Sequence, residues 1–371
     1  APPWSWTAER RWVERESMGI DENPTTAVRD GEELDWPALD AHLKTALPHL
    51  RGQPEVSQFA GGNSNLTYRL KYANDDLVVR RPPFGTKARS AHSMIREYRV
   101  MNHLKPVYPT VPETLYYSDD ESVIGSEFYV MRKVEGQLIK DALPPEWNFT
   151  VSDTRRFCSR FWEKLIELHQ VDYVAAGLGD FGRPVGYVER QILGWNRRFE
   201  RVITPDVDGF RGVREWLAGN MPGDSGRYAV LHGDFRIDNV ILDRDDPSII
   251  RAVLDWEICA LGDPLMDLGS ALAYWMQADD PPELKGLSMQ PSTAPGMLTR
   301  REILDLYREK TGQDTSEFTF FLVYGYWRVA VILQQIYYRY FHGQTSDKRF
   351  ARFGDATQNL GTHCQNLIAA L

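Results

Sequence analysis

Residues 228–255 constrain the fold of this chain more than any other stretch. The apolar run Tyr228–Leu231 leads into His232-Gly233-Asp234-Phe235-Arg236-Ile237-Asp238-Asn239. Two further apolar runs, Asn239–Asp243 and Ile249–Asp255, are joined by the charged Arg244-Asp245-Asp246-Pro247 turn. Short apolar runs bounded by turn residues read as buried strands, so the last two form a hairpin. The loop ahead of the hairpin carries an acid at Asp234 and an amide at Asn239, and a second acid, Asp255, stands sixteen positions later, after Ala252-Val253-Leu254. The His-x-Asp-x-x-x-x-Asn spacing alone would arise in roughly one chain in twenty. Its frame of strands and the delayed acid make chance a poor explanation.

The halves on either side differ in period. Asp35 can cap a helix running to Leu50, with Pro37 in the first turn and Leu39, Leu43 and Leu47 on one face, although Pro48 weakens its end. Short strands follow at Val56–Ala60, Leu66–Tyr72 and Leu77–Arg81, separated by the Gly61-Gly62-Asn63 and Asn74-Asp75-Asp76 turns. A helix is expected over 90–104, with Ile95, Tyr98, Met101 and Leu104 on its apolar face, then strands at Thr114–Ser118 and Glu127–Arg132. Past Gly136 the pattern is helical. Ser152 can cap a segment with Phe157, Phe161, Leu165 and Leu168 on one face, and Tyr187, Ile192, Trp195 and Phe199 mark another helix. The expected class is α+β in two lobes: a small antiparallel sheet with one helix, then a larger α-rich lobe interrupted by the hairpin. The expected divisions are 1–50, an N-terminal extension with a helix; 51–134, the small lobe; and 135–371, the large lobe.

With 371 residues the chain has room for two or three cooperating units. Its 43 basic and 52 acidic side chains, a net charge of −9, argue against a polyanion binder, so no nucleic acid partner is expected. Three cysteines make neither a disulfide framework nor a metal cluster and suit a reducing cytoplasm. No apolar signal-like run occurs in Ala1–Ile20. The aromatic Phe318–Phe341 stretch is broken by Arg328, Gln334, Gln335 and Arg339, so a buried helix is expected and no membrane association. The oligomeric state is not legible.

Phosphoryl transfer needs a carboxylate to orient and deprotonate the attacking hydroxyl, and oxygen ligands to hold Mg²⁺ against the phosphates. Asp234, Asn239 and Asp255 are that set at kinase spacing. Here the sequence resembles the aminoglycoside phosphotransferase and choline kinase group, small-molecule relatives of the protein kinases. His232-Gly233-Asp234 through Asn239 is similar to the catalytic loop of that group. Leu254-Asp255-Trp256-Glu257 with Gly262-Asp263-Pro264-Leu265-Met266-Asp267-Leu268 is similar to its metal segment. The resemblance runs more weakly from about Phe59 to Tyr340. It implies a two-lobed protein-kinase-like fold with a nucleotide-binding small lobe, ATP and Mg²⁺ as cofactors, and a small-molecule hydroxyl as acceptor. It further implies Asp234 as catalytic base, Asn239 and Asp255 as metal ligands, and Asp267 as a brace of the catalytic loop.

The same resemblance makes Gly61–Thr67, with Gly62, Asn63, Ser64 and Asn65, the nucleotide-positioning turn, and aligns Arg80 with the usual phosphate-binding Lys, paired with Glu97. Arg is not interchangeable with Lys. Strand alternation turns Arg80 to the pocket if Leu77 and Val79 fill the lobe core; the alternative is Arg81. Met131, Arg132 and Val134 resemble the connection between lobes that receives adenine through backbone groups. Val134-Glu135-Gly136 and Leu77–Pro83 look most like a branch whose relatives are sometimes fused to acyl-CoA dehydrogenases, which favours a hydroxyacyl acceptor.

Several residues have plainer readings. His232 suits a packing anchor, Asp238 and Asp263 turns or caps, Cys259 an inert buried thiol, and His103 and His169 structural histidines. The stripe Tyr324, Trp327, Tyr337, Tyr338 and Phe341 suits core, although the resembled group builds its acceptor pocket in this part of the chain, which makes Trp327, Arg328 and Tyr337 candidates. No Asp or Glu occurs from Phe318 to Ser346, whereas Arg328 and Arg339 do. A polycationic aminoglycoside would want facing carboxylates, for which only the Asp279–Glu283 loop is at hand in this half, so a neutral or anionic acceptor is expected. A true aminoglycoside O-phosphotransferase is one alternative, and a catalytically impaired nucleotide-binding regulator is another. A protein kinase is disfavoured by the short Asp255–Asp263 interval.

Overall fold

The computed structural model describes residues 25–59, 65–85 and 93–371. Its small lobe is a six-stranded antiparallel sheet built from β1 (Thr25–Thr26), β2 (Glu55–Phe59), β3 (Leu66–Lys71), β4 (Asp76–Arg81), β5 (Thr114–Ser118) and β6 (Phe128–Arg132), in the order β1-β2-β3-β4-β6-β5. The β3–β4 register sets Tyr68 opposite Val79 and Leu70 opposite Leu77. Leu70, Tyr68, Leu77 and Val79 share one core with Val130 and Phe128, and Leu39, Leu43 and Leu50 complete it from helix α1 (Trp36–Ala46) and the residues after it. Residues 35–50 are thus built into the small lobe. Asp35 caps α1 by accepting from the Ala38 amide at 3.0 Å. The helix stops at Ala46 and does not reach Leu50, since the residue before Pro48 is pushed out of helical geometry.

Helix α2 (Met94–Leu104) follows the sheet, and its Met94, Val100, Met101 and Leu104 join the core of the large lobe. A one-turn helix, α3 (Glu121–Ile124), sits between β5 and β6. In the large lobe β7 (Gln137–Leu138), β9 (Val240–Leu242) and β10 (Ile250–Val253) form a sheet in the order β10-β9-β7, with a bulge between Ile250 and Ala252. A second ladder pairs β8 (Ala229–Leu231) with β11 (Ala260–Gly262). The remaining lobe is helical: α4 (Val151–His169), α5 (Tyr187–Glu200), α6 (Arg211–Gly219), α7 (Pro264–Ala273), α8 (Pro282–Lys285), α9 (Arg300–Thr311), α10 (Thr319–Phe341) and α11 (Phe353–Ala369).

The cap of α4 is Thr150, not the expected Ser152. Thr150 accepts from the Asp153 amide while Asp153 accepts from the Thr150 amide, a reciprocal pair that leaves Ser152 inside the first turn. Helix α10 is buried almost all round, as an apolar central helix should be. It crosses α7 with backbones in contact: a Cβ on Gly325 would lie 2.1 Å from the Gly269 carbonyl oxygen. No helix among the described residues is long and apolar enough to cross a membrane.

Candidate active site

Strand β8 delivers the chain into the 232–239 loop, and two devices fix its shape. Gly233 has φ +84°, and a Cβ there would meet Ile258 at 2.9 Å, so the left-handed turn suits glycine. Asp267, fully inside on the first turn of α7, accepts from the His232 amide at 2.7 Å and the Gly233 amide at 2.8 Å. Burial alone would raise the Asp267 carboxyl. The His169 ring, at 3.2 Å, and these amides hold it below the usual range. His169 is itself oriented by the Tyr307 hydroxyl at 3.0 Å, and Asp263 caps α7 through the Leu265 amide at 2.9 Å. His103 meets the Ala176 carbonyl. Both of these histidines and Asp263 therefore sit in structural bonds.

His232 is buried, and both ring nitrogens are committed. Nδ1 accepts from the Asp234 amide at 3.2 Å and Nε2 donates to the Leu254 carbonyl at 2.8 Å, the pattern of a neutral imidazole. Leu254 in turn donates its amide to the Asn239 carbonyl at 2.7 Å. One residue thus ties the loop to the strand end that presents Asp255. Asn239 sits in a short 3₁₀ turn and donates from Nδ2 to the Asp234 carbonyl at 2.8 Å and to its carboxylate at 3.3 Å, which leaves Oδ1 as the accepting, lone-pair end of its amide. Asp255 has φ +68°, a left-handed backbone uncommon for a non-glycine residue, and such strain concentrates at functional sites. Asp238 pairs with Arg236, and Cys259 is buried with its thiol pushed up by burial.

Arg80 and Arg81 part company at the end of β4. Arg81 lies on the Leu77 and Val79 face, donates to the carbonyls of Pro82 at 3.0 Å and Ile124 at 2.9 Å, and stacks over Phe84. Arg80 turns to the opposite face, where its guanidinium lies 3.4 Å from Glu97, 3.4 Å from Glu257 and 3.7 Å from Asp255. Burial disfavours its charge, but Glu97, Asp255 and Glu257 outweigh that and hold it firmly protonated. Burial also pushes Glu97 upward. The Arg80 charge and the Tyr129 hydroxyl at 2.9 Å oppose that shift without overcoming it, and the Asn65 amide donates to the carboxyl at 3.2 Å.

Glu257 is the residue that sequence reasoning missed. It stands two positions after Asp255, and Asn65 reaches it at 3.4 Å. Its only advance signal is a second acid in Asp255-Trp256-Glu257. Gly62, Asn63 and Ser64 lie outside the described residues. Met131 pairs with Val78 in the sheet. The Arg132 side chain meets Glu113 and Asp75, and its amide already donates to the Glu113 carbonyl, so of the expected backbone groups the Arg132 N–H is committed and Val134 is left.

Of the three acceptor candidates, only Arg328 is drawn toward the site. Trp327 is fully buried, donates its indole N–H to Asn196 at 2.9 Å and packs on Phe199, so it belongs to the core. The Tyr337 hydroxyl bonds Asp206 and its ring packs on Gly354, which likewise removes it from an acceptor pocket. Arg328 is 7 % exposed and lies over Trp195, and Asp234 is among the groups that favour its charge against burial. In the acidic loop, Asp280 is spent on Arg300.

Comparison with known proteins agrees with this geometry. A sequence model described as the phosphotransferase enzyme family matches residues 55–303. Acyl-CoA dehydrogenase family member 11 of Gallus gallus is 34% identical over 351 residues, covering 91% of this chain and 44% of the relative. The chain thus spans less than half the length of that relative. A solved Ralstonia eutropha structure named after the aminoglycoside phosphotransferases is 29% identical, with a TM-score of 0.79 over 90% of this chain and 98% of that one. A thermostable mutant of aminoglycoside phosphotransferase APH(4)-Ia, in ternary complex with ADP and hygromycin B, shares the fold at 13% identity, with a TM-score of 0.55 over 88% of this chain and 98% of that one.

Proposed function

The chain belongs to the phosphotransferase enzyme family, and from that premise we propose that it is an ATP- and Mg²⁺-dependent kinase that phosphorylates a hydroxyl of a small, neutral or anionic molecule. The observation that carries this reading is the tie between the two halves of the site: Asn239 holds Asp234 through its side-chain amide and Leu254 through its carbonyl, which sets the base and Asp255 on one frame.

Asn239 Oδ1 and Asp255 suit Mg²⁺, a hard cation that takes one or two carboxylate-type oxygens and completes its shell from phosphates and water. When bound, the ion supplies neutralisation of charge on the β- and γ-phosphate oxygens. Arg80 lies beside Asp255, where a cation would meet the phosphates, and Asn65 and Val134 stand at the turn and hinge positions suited to nucleotide. Asp234 accepts the proton as the acceptor oxygen bonds to the γ-phosphorus. The bond from that phosphorus to the β,γ-bridging oxygen breaks, and ADP leaves with its electron pair.

A hydroxyacyl acceptor suits both the relatives' names and the absence of acidic residues along α10. The engagement of Asp280 by Arg300 weighs against a polycationic aminoglycoside. One observation favours a second reading, a nucleotide-binding regulator: Arg80 is held by three carboxylates, which could restrain it from phosphate. The deciding experiment follows ADP release with a panel of hydroxylated metabolites. Turnover that depends on acceptor, requires Mg²⁺ and is lost in Asp234→Asn supports the kinase. Binding of Mg²⁺-ATP without turnover on any acceptor supports the regulator.

A further inference from the structure

Beyond the nucleotide side of the cleft, two arginines share one indole. The guanidinium carbon of Arg328, on α10, lies 5.6 Å from the Trp195 ring centre, and that of Arg198, one helical turn from Trp195 on α5, lies 4.5 Å from it. Neither guanidinium has a hydrogen bond or an ion pair with any described residue, although Arg328 is only 7 % exposed. Arg stays protonated in proteins, so two like charges on one ring, with no carboxylate at hydrogen-bond or ion-pair distance, are an unbalanced arrangement. Aromatic faces offset only part of that cost. By contrast Arg236, over Tyr274, is neutralised by Asp238, and Arg300 by Asp280. The charge of Arg198 is disfavoured by burial and by Arg328 itself. Arg328 also feels Asp234, which places that one guanidinium within electrostatic reach of the proposed base.

We propose that Arg328 and Arg198, on the ring of Trp195, bind an oxyanionic group of the acceptor, a carboxylate or a phosphate ester, while the acceptor hydroxyl is presented to Asp234. This rests on Asp234 being the base of a kinase, and it narrows the acceptor from any small hydroxyl compound to a hydroxy acid or hydroxyalkyl phosphate. A guanidinium fork matches either group in two-point geometry, and the surrounding rings of Trp195, Tyr274 and Tyr324 suit a short apolar spacer. Arg328 is then a specificity residue and Arg198 its more exposed helper.

The test uses the full chain with two readouts: calorimetric affinity in the presence of Mg²⁺-ADP, and kcat/KM for ADP release with Mg²⁺-ATP. The probes are four- to eight-carbon hydroxyalkanoates, their methyl esters, and glycerol 3-phosphate with glycerol as its neutral counterpart. The wild type is expected to favour at least one charged member over its neutral counterpart by tenfold or more. The acid–ester pairs and the phosphate–glycerol pair distinguish carboxylate from phosphate as the source. Arg328→Gln should remove that preference, Arg328→Lys should keep part of it, and Arg198→Gln, at a less buried position, should reduce it several-fold with Mg²⁺-ADP affinity unchanged. The proposal is overturned if neutral members do as well as charged ones in the wild type. It is also overturned if Arg328→Gln and Arg198→Gln lower both alike, the result expected if the arginines only tune Asp234, or if they weaken Mg²⁺-ADP. Arginine-dependent binding of the anions without any ADP release would keep the site and reject the kinase reading. Turnover indifferent to acceptor charge would do the reverse.

Discussion

Asp234 is the carboxylate at which chemistry and binding should separate. On the proposed mechanism it meets the acceptor hydroxyl and not the nucleotide. Asp234→Asn should therefore lower kcat by about 10³-fold, within the usual range for a positioned base, while Mg²⁺-ATP affinity measured by calorimetry stays within a factor of two or three. An equal loss of nucleotide affinity would remove it from that role. Arg80 and Arg81 give a second contrast, because adjacent positions of one strand face opposite environments. Arg80→Ala leaves Glu97, Asp255 and Glu257 facing one another without their cation, so turnover should fall by about 10² and nucleotide affinity with it. Arg80→Lys, which keeps the charge but not the fork, should stay within about tenfold of wild type. Arg81→Ala should lower stability by about 2 kcal/mol, since two buried carbonyls lose a charged donor, and leave the KM for ATP unchanged. If Arg81→Ala raises that KM and Arg80→Ala does not, the facing is misread.

At the scale of elements, the 232–239 loop depends on a helix it does not belong to. Asp267 holds its carboxyl below the usual value while the unfolded chain titrates near the ordinary ~3.9. Its contribution to stability is therefore complete above that ordinary value and disappears as pH falls through the lower, folded one. The stability gap between wild type and Asp267→Asn, measured by urea unfolding, should be constant from about pH 7 to 5 and shrink below about pH 4; a gap that grows on acidification would reverse the sign. Under the same loop, α7 and α10 meet through Gly269 and Gly325. The added methyl of Gly325→Ala would meet the Gly269 backbone and the Ala273 Cβ, neither of which can swing aside, so the helices must separate, at about 3 kcal/mol in denaturant unfolding. Elements of this kind were partly legible in the sequence. Alternation in Leu77-Val78-Val79-Arg80 suffices to turn Arg80 away from the small-lobe core, because two apolar residues must share the other face. The Thr150-x-x-Asp153 cap is equally local and readable, and the choice of Ser152 overlooked it. Trp327, Arg328 and Tyr337 were not separable in advance, since helical periodicity places side chains on faces but does not say which face meets α5 and which meets the cleft. Glu257 was hidden for a related reason: its partners Arg80 and Asn65 come from the other lobe, nearly two hundred residues away in sequence.

At the scale of the whole molecule, the apolar side chains form two clusters, the larger of which takes in α2 and Tyr129 from before the lobe division, and polar groups also bridge the lobes. Asn65 and Arg80, on the small sheet, reach Glu257 and Asp255 in the large lobe. Arg96, on α2, donates to the carbonyls of Phe181 at 3.0 Å and Cys259 at 3.3 Å. The expected division at residues 134–135 falls between β6 and β7, so we propose that the nucleotide binds where the small sheet faces the 232–255 segment and draws on both lobes at once. A ligand of the native state alone adds stability as RT ln(1 + [L]/Kd), about 2.7 kcal/mol at one hundred times Kd. Mg²⁺-ADP at that excess should therefore raise the unfolding midpoint of the entire chain in a single step, and EDTA should remove most of the rise. Asp255→Ala should abolish the Mg²⁺-dependent part while Asp234→Asn keeps it, because only the first is proposed to hold the ion. Two outcomes would count against a shared site. If the shift is equal with and without Mg²⁺, the metal role of Asp255 is wrong; if only one of two resolved transitions moves, the nucleotide belongs to a single lobe and the polar bridge between them is structural.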